Sequence, residues 1–231
     1  MKSRSFLGRV IRFVLFWAGA YGAYFRWVRP KLLHWGARGD QPDQSMPGDY
    51  LIGDKVKGTK VILIRRGPEE VWPWIAQLGR GAGYYLCDQF VNAARASADY
   101  LVPDLPDPKE GDRNKWMGQI EQVEAGSSIT WVRRGWNCGV GEADQRVTYQ
   151  LQPHGEDHTL LFVRNSFDWR GGWMMRLVMV DLEWIAALAL IRQMKNLRQA
   201  IEGARARDSE ARSNRHKASE GHQGDVPKFA S

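Results

Sequence analysis

The order of patterns in this sequence predicts an α+β domain in which a curved antiparallel sheet wraps around a long C-terminal helix. Three observations carry that expectation. A run rich in β-branched residues, Thr59 to Arg66, leads at once into a helical pattern that opens at Pro68. Runs of alternating apolar residues, separated by tight turns, then follow one another from Lys115 to Asp168 as an antiparallel meander. A long apolar stripe at helical spacing runs from Trp173 to Ile201. Strand, short helices, meander and long helix close economically when the sheet curls around the last helix and the short helices plug one end. Such a grip leaves space between sheet and helix.

Length and composition set the bounds. The 231 residues suit one domain with extensions. Hydrophobic residues make up 43%, ample for a core, and the 11 tryptophans can fill that core or line an aromatic cavity. The formal net charge of +7 is unevenly placed: residues 1–38 include Arg4, Arg9, Arg12, Arg26 and Arg29 and contain no acid. These basic residues flank an apolar run, which points to a membrane surface, and no nucleic-acid motif accompanies them. Cys87 and Cys138 form no CxxC, and His154 and His158 flank a Gly-Glu-Asp turn rather than share a helix face. No metal, no cofactor and no nucleic-acid partner is expected.

Four segments are expected: 1–29, 30–58, 59–203 and 204–231. In the first, Phe13 to Phe25 is uncharged and apolar. At about 13 residues it is shorter than the ~20 that span a bilayer, although Arg12 and Arg26 can snorkel and lengthen it. A membrane anchor or interfacial helix covering residues 6–28 is the expectation. A cleaved signal peptide, with Ala18-Gly19-Ala20 as its small-residue site, and a helix packed on the domain's own surface are the alternatives. The expected location is membrane-associated, on the cytoplasmic face of a bacterial inner membrane, with the cytoplasm as the alternative. Pro30 is expected to end the helix, and residues 30–58, rich in Gly, Pro and Asp, read as an irregular lead-in with a turn at Met46-Pro47-Gly48-Asp49.

The domain itself starts at residue 59. Pro68, Glu69 and Glu70 suit a helix N-terminus, and Val71, Trp74, Ile75 and Leu78 mark its buried face. Gly79, Gly81 and Gly83 stop that helix, a second one follows, and Pro103, Pro106 and Pro108 keep the next loop irregular. In the meander, Ile129, Trp131 and Arg133 share one face, Val147, Tyr149 and Leu151 another, and Leu160, Phe162, Arg164 and Ser166 a third. After Ala204 the polar composition predicts disorder.

Several stretches carry a family resemblance. Pro30-Lys-Leu-Leu-His-Trp-Gly-Ala37 and Met46-Pro-Gly-Asp49 look like the lead-in of a bacterial subgroup of the SRPBCC (START-like, polyketide cyclase/dehydrase and lipid-transport) superfamily. Pro68 to Gly79, Gly83-Tyr-Tyr85, Asp88, Ala98 to Pro103 and Lys109-Glu-Gly-Asp112 resemble its first helix, second helix, following loop and strand turn. Leu86-Cys87-Asp88 departs from the serine–tyrosine pairing expected there. The resemblance spans roughly residues 30–203 and implies a helix-grip fold. It also implies binding or transport of a hydrophobic small molecule that is lipid-, quinone- or polyketide-like. A cyclase or aromatase, and a membrane-associated interaction protein with a filled cavity, stay open as alternatives.

The candidate binding residues follow from the strand faces and the space under the long helix. Trp74 and Tyr84 are expected to form one end wall. Trp116, Trp131, Tyr149, Phe162, Trp173 and Trp184 are expected to line the cavity. Arg164, sharing a face with Phe162, can hold a carboxylate or ketone oxygen if it points inward. Of Arg133 and Arg134, adjacent in one strand, at most one can point inward. Asp88 can contact a ligand at the mouth or cap the second helix. No nucleophile–base pair is visible in the sequence, so no catalytic residue is assigned.

Overall fold

The computed structural model describes the backbone of residues 3–80 and 100–222 and the side chains of 8–80 and 100–204. The expected second short helix, with Tyr84, Cys87 and Asp88, lies outside the described residues.

The N-terminal segment is helical for longer than its proline suggests. Helix α1 (Ser3–Ala23) passes through a π-helical turn (Tyr24–Val28) into α2 (Arg29–Leu33). Pro30 cannot donate to the carbonyl of residue 26, and its ring would clash there in a tight α-helix. The wider turn, in which the Arg29 N–H reaches back to the Tyr24 carbonyl, removes the conflict, so the helix continues to Leu33.

Six strands then form one antiparallel sheet: β1 (Val56–Ile64), β2 (Arg113–Asn114), β3 (Gly118–Glu124), β4 (Ser128–Asn137), β5 (Gly141–Pro153) and β6 (Thr159–Gly171). Their order is β1-β6-β5-β4-β3-β2, so the meander runs outward from β6 and the first strand closes against the last. Helix α3 (Pro68–Ala76) follows β1, with Pro68 in its first turn, Glu69 and Glu70 at its positive end, and Val71, Trp74 and Ile75 buried as their spacing requires. Helix α4 begins at Trp173 and runs to His222, through the polar stretch after Ala204 whose composition suggests disorder.

The concave face of the sheet grips α4. Leu190, Met194, Leu197 and Ile201 form one buried stripe on that helix and join Ile62, Leu161, Val147 and Trp131 in the main core. A second cluster lies toward the N-terminal end of α4, where Met175 and Met179 meet Phe167, Ala143, Val56 and Leu33. Gly58 is the only residue type that lets α2 come this close: a Cβ there would lie 3.0 Å from both the Leu33 carbonyl oxygen and its side chain.

The convex face is covered by the lead-in. Met46 packs on Val61 and Phe162. Gly48 has φ +79° and no room for a side chain, because a Cβ would meet Thr130 at 2.7 Å. Its neighbour Asp49 faces two fully buried arginines of the sheet. Arg164 Nη1 donates to Asp49 Oδ2 at 2.6 Å, and Arg146 Nη2 donates to Asp49 Oδ1 at 2.9 Å and to Asp54 Oδ1 at 3.2 Å. The carbonyls of Pro42, Gly48 and Asp49 and the hydroxyls of Thr59 and Ser166 accept further donors, while Arg146 Nε has no hydrogen-bond partner among the described residues. This network joins two neighbouring strands to a segment about a hundred residues away in sequence.

A buried charge that loses its partner costs about 3–5 kcal/mol. Asp49→Ala is therefore expected to lower the unfolding free energy by that amount, measured by urea denaturation. A loss below about 1 kcal/mol, the worth of a surface pair, would mean that Asp54 and the carbonyls suffice.

Candidate functional site

Between the two apolar clusters a polar band crosses the concave face. It runs from Lys60 on β1 through Asn165 on β6 and Gln145 on β5 to Arg133 on β4. The register places these residues: Gly58 pairs with Asn165, Gln145 with Phe167 and Arg133 with Gln145. Paired residues share a sheet face, and Phe167 packs on α4, so the whole band faces the helix.

Arg133 owes its setting to a β-bulge. The pairing of β4 with β5 slips between Arg133 and Trp136, and Gly135, at φ +61°, donates its N–H to Asp144 Oδ1 at 2.7 Å. In a regular strand residues 133 and 136 face opposite ways. The bulge turns both to the concave side, where the Arg133 guanidinium lies 4.5 Å from the Trp136 ring centroid. Burial lowers the Arg133 pKa, with the nearby Cys138 opposing the shift. Burial likewise raises the Cys138 thiol, against the pull of Arg133, so this sulfur is a thiol rather than a reactive thiolate. Arg133 forms no ion pair among the described residues. Beside it, Gln145 Nε2 donates to Asn165 Oδ1 at 3.1 Å.

At the other end of the band, Lys60 is buried, with Nζ 3.5 Å from the Leu33 carbonyl that ends α2. Desolvation lowers its pKa from 10.5 to about 8, partly offset by Glu183. Glu183, also buried, is held by Arg29 through Nε at 2.6 Å and Nη2 at 2.9 Å, which locks the end of the N-terminal rod onto α4. Deeper in the core the Tyr149 hydroxyl donates to Gln193 Oε1 at 2.8 Å, and Trp131 Nε1 is buried without a hydrogen-bond partner among the described residues. Two amides, a guanidinium and an amine that titrates near neutrality can receive an anionic or carbonyl oxygen. No group of metal-binding side chains stands among the described residues.

The sequence-derived candidates separate in space. Trp74, Trp131 and Tyr149 come together in the main core under α4. Phe162 and Arg164 share a face as expected, but it is the convex one, where Met46 and Asp49 cover them; they are not on the gripped face. Trp116 is exposed beside Lys115, Trp173 is 73% exposed, and Trp184 lies on the outer side of α4 at 39%. Tyr84 and Asp88 lie outside the described residues. Arg133 is the inward member of its pair, while Arg134 turns out to Glu121. Lys60, Gln145, Asn165 and Glu183 were not among the candidates. For Lys60 the signal was present, since it alternates with Ile62 and Ile64.

In fold this is a helix-grip protein: a curved antiparallel sheet closed on a long C-terminal helix, the fold that the SRPBCC resemblance implies. No protein-family model matches the sequence, and no curated protein matches it. Solved structures do match. A START superfamily protein from Mycobacterium smegmatis is 12% identical, with 64% of this chain and 98% of that one covered and a TM-score of 0.31. CalU16 from Micromonospora echinospora is 19% identical over 71% of this chain and 92% of its own, at a TM-score of 0.35. A conserved protein from Geobacillus kaustophilus is 15% identical over 64% and 97%, at 0.38.

Lys60 yields a prediction with a defined pH window. Below pH 8 it is protonated in both folded and unfolded chains, and the folded state carries the full cost of burying the charge. Between about 8 and 10.5 the folded chain binds fewer protons than the unfolded one, so stability rises with pH. Lys60→Met is expected to stabilise the protein by up to about 3 kcal/mol at pH 7, with the gain shrinking toward pH 10.5. Denaturation curves across that range would show it. A difference that stays constant with pH would rule out burial of the charge as its cause.

Proposed function

We propose that this protein binds and carries a hydrophobic small molecule on the concave face of the sheet, beneath α4, and does so at a membrane surface. The observation that carries the reading is Arg133: a concave-facing guanidinium, partly desolvated and stacked on Trp136, with no carboxylate partner among the described residues. Such a group is stabilised by a ligand oxygen, whether a carboxylate or a polarised ketone, and the Gln145–Asn165 pair beside it can fix that oxygen's orientation. The apolar walls, Trp136 and Phe167 on the sheet and Met175 and Met179 on α4, suit a lipid-, quinone- or polyketide-like body.

The N-terminal helix supports the membrane part of the reading. Phe13, Leu15, Phe16 and Trp17 on α1 are all at least half exposed. No helix of the described residues is long and apolar enough to cross a membrane. An exposed apolar helix flanked by Arg9, Arg12 and Arg26 suits a position in the interface, with its arginines among headgroups. The cytoplasmic leaflet, which carries anionic lipids, is the surface that such a helix fits.

Native mass spectrometry of the intact protein is expected to find a co-purifying apolar ligand. In a titration with a fluorescent fatty acid, Arg133→Ala is expected to weaken binding about tenfold or more, the worth of a charge-assisted hydrogen bond. Equal binding by both proteins would remove Arg133 from the site. Cell fractionation tests the other half: the intact chain should sediment with membranes, and a chain lacking residues 1–28 should not.

A further inference from the structure

Helix α4 carries two apolar stripes, and the grip uses only one. Residues 173, 177, 180, 184 and 188 lie along one line of the helix, about 130° around from the line that Met179, Leu190 and Leu197 turn to the core. On this second stripe Trp173 is 73% exposed, Leu177 51% and Leu188 45%. Trp17, Tyr21 and Tyr24 of the N-terminal helix approach only its middle, at Val180 and Trp184, and leave a gap of about 220 Å³.

Val180 also borders a larger groove, of about 580 Å³. Its walls come from the π-helical turn, the start of β1, the end of β6 and the first turns of α4. Phe25, Val56, Trp169 and Met179 give it an apolar lining, and Arg29, Lys55 and Arg176 bring three cations against one carboxylate, Glu183. Glu183 is occupied by Arg29, and Lys55 pairs with Asp168 at 3.0 Å while lying over the Trp169 ring. Arg176 is exposed and forms no ion pair among the described residues. A cationic groove thus opens directly onto an uncovered apolar stripe, beside an exposed apolar helix.

We propose that this face lies on a bilayer and that the groove seats the headgroup of an anionic phospholipid, with Arg176 and Lys55 on the phosphate and the second stripe of α4 against the acyl region. The proposal rests on the membrane reading above and adds to it a lipid class and a second site, which adjoins the concave one at Met179. Charge argues for this occupant: the groove has an excess of positive charge, the preceding helix adds Arg26, and the apolar stripe meets the groove at Val180. An α4 stripe meant for a protein core would be covered by the chain's own residues.

The test is co-sedimentation of the full chain with vesicles of phosphatidylcholine alone or mixed with phosphatidylglycerol. Binding should favour the mixed vesicles. Arg176→Glu should reduce that binding about fivefold or more without changing the melting temperature, because its side chain holds no other element. Trp173→Ser with Leu177→Ser should weaken binding to both vesicle types. Equal binding to both vesicle types, unchanged by Arg176→Glu, would overturn the groove site and leave the membrane reading standing. No binding to either would overturn both. Saturation by soluble glycerol phosphate that abolishes the vesicle preference would assign the groove to a free phosphate ligand. Lipid-independent dimers, seen by light scattering and broken by the stripe variant, would assign the face to a second copy of the chain.

Discussion

Arg146 and Arg164 stand side by side on the convex face of the sheet with no solvent contact, and a guanidinium in that position requires an anion. Asp49 meets both. Because Asp49 belongs to the lead-in, satisfying the two charges also draws residues 42–54 across the back of the sheet. Thr130 and Thr148 add hydrogen bonds to the Pro47 carbonyl, and Met46 seals Phe162. The energetic value of such a network is specificity of placement as much as net stability, since the desolvation of two arginines offsets much of the attraction. With the convex side closed, the concave side is the face left for the ligand proposed above.

The same lead-in carries the N-terminal helix to its seat. Leu33 rests on Gly58, Lys60 reaches the carbonyl that ends α2, and Arg29 holds Glu183 of α4. Ionic and packing contacts therefore tie the rod to both layers at its C-terminal end, while α1 projects with its apolar side chains exposed. The rod's end, the polar band and the groove above the first turns of α4 form one neighbourhood. Lys60 and Glu183 link its interior to its surface.

Much of the fold was legible because local rules and tertiary structure agree. Pro68 with its two glutamates opens α3 where expected, Trp74 and Ile75 fall on its buried side, and the meander and closing helix follow in the expected order, with the short β2 added at its start. The site was less legible. Phe162 and Arg164 do share a face, but period-two alternation says only which residues face together, not which face the helix covers. When both sides of a sheet are buried, as here, hydrophobicity does not mark the inner one. The apolar stripe read from Trp173 to Ile201 likewise merged two stripes, because both are apolar and lie only about 130° apart around the helix.

From the sequence alone came the element order, the α+β class, the basic apolar N-terminal helix and the relative faces of each strand. Those follow from periodicity, turn residues and charge placement, which are local. Tertiary structure alone decided that Arg164 faces the lead-in and Arg133 faces the helix, that a bulge at Gly135 brings Trp136 under Arg133, and that half of α4 keeps a stripe uncovered. The reason is distance along the chain: the partner of Arg164 is 115 residues away, and no local pattern records which distant segment will cover a face.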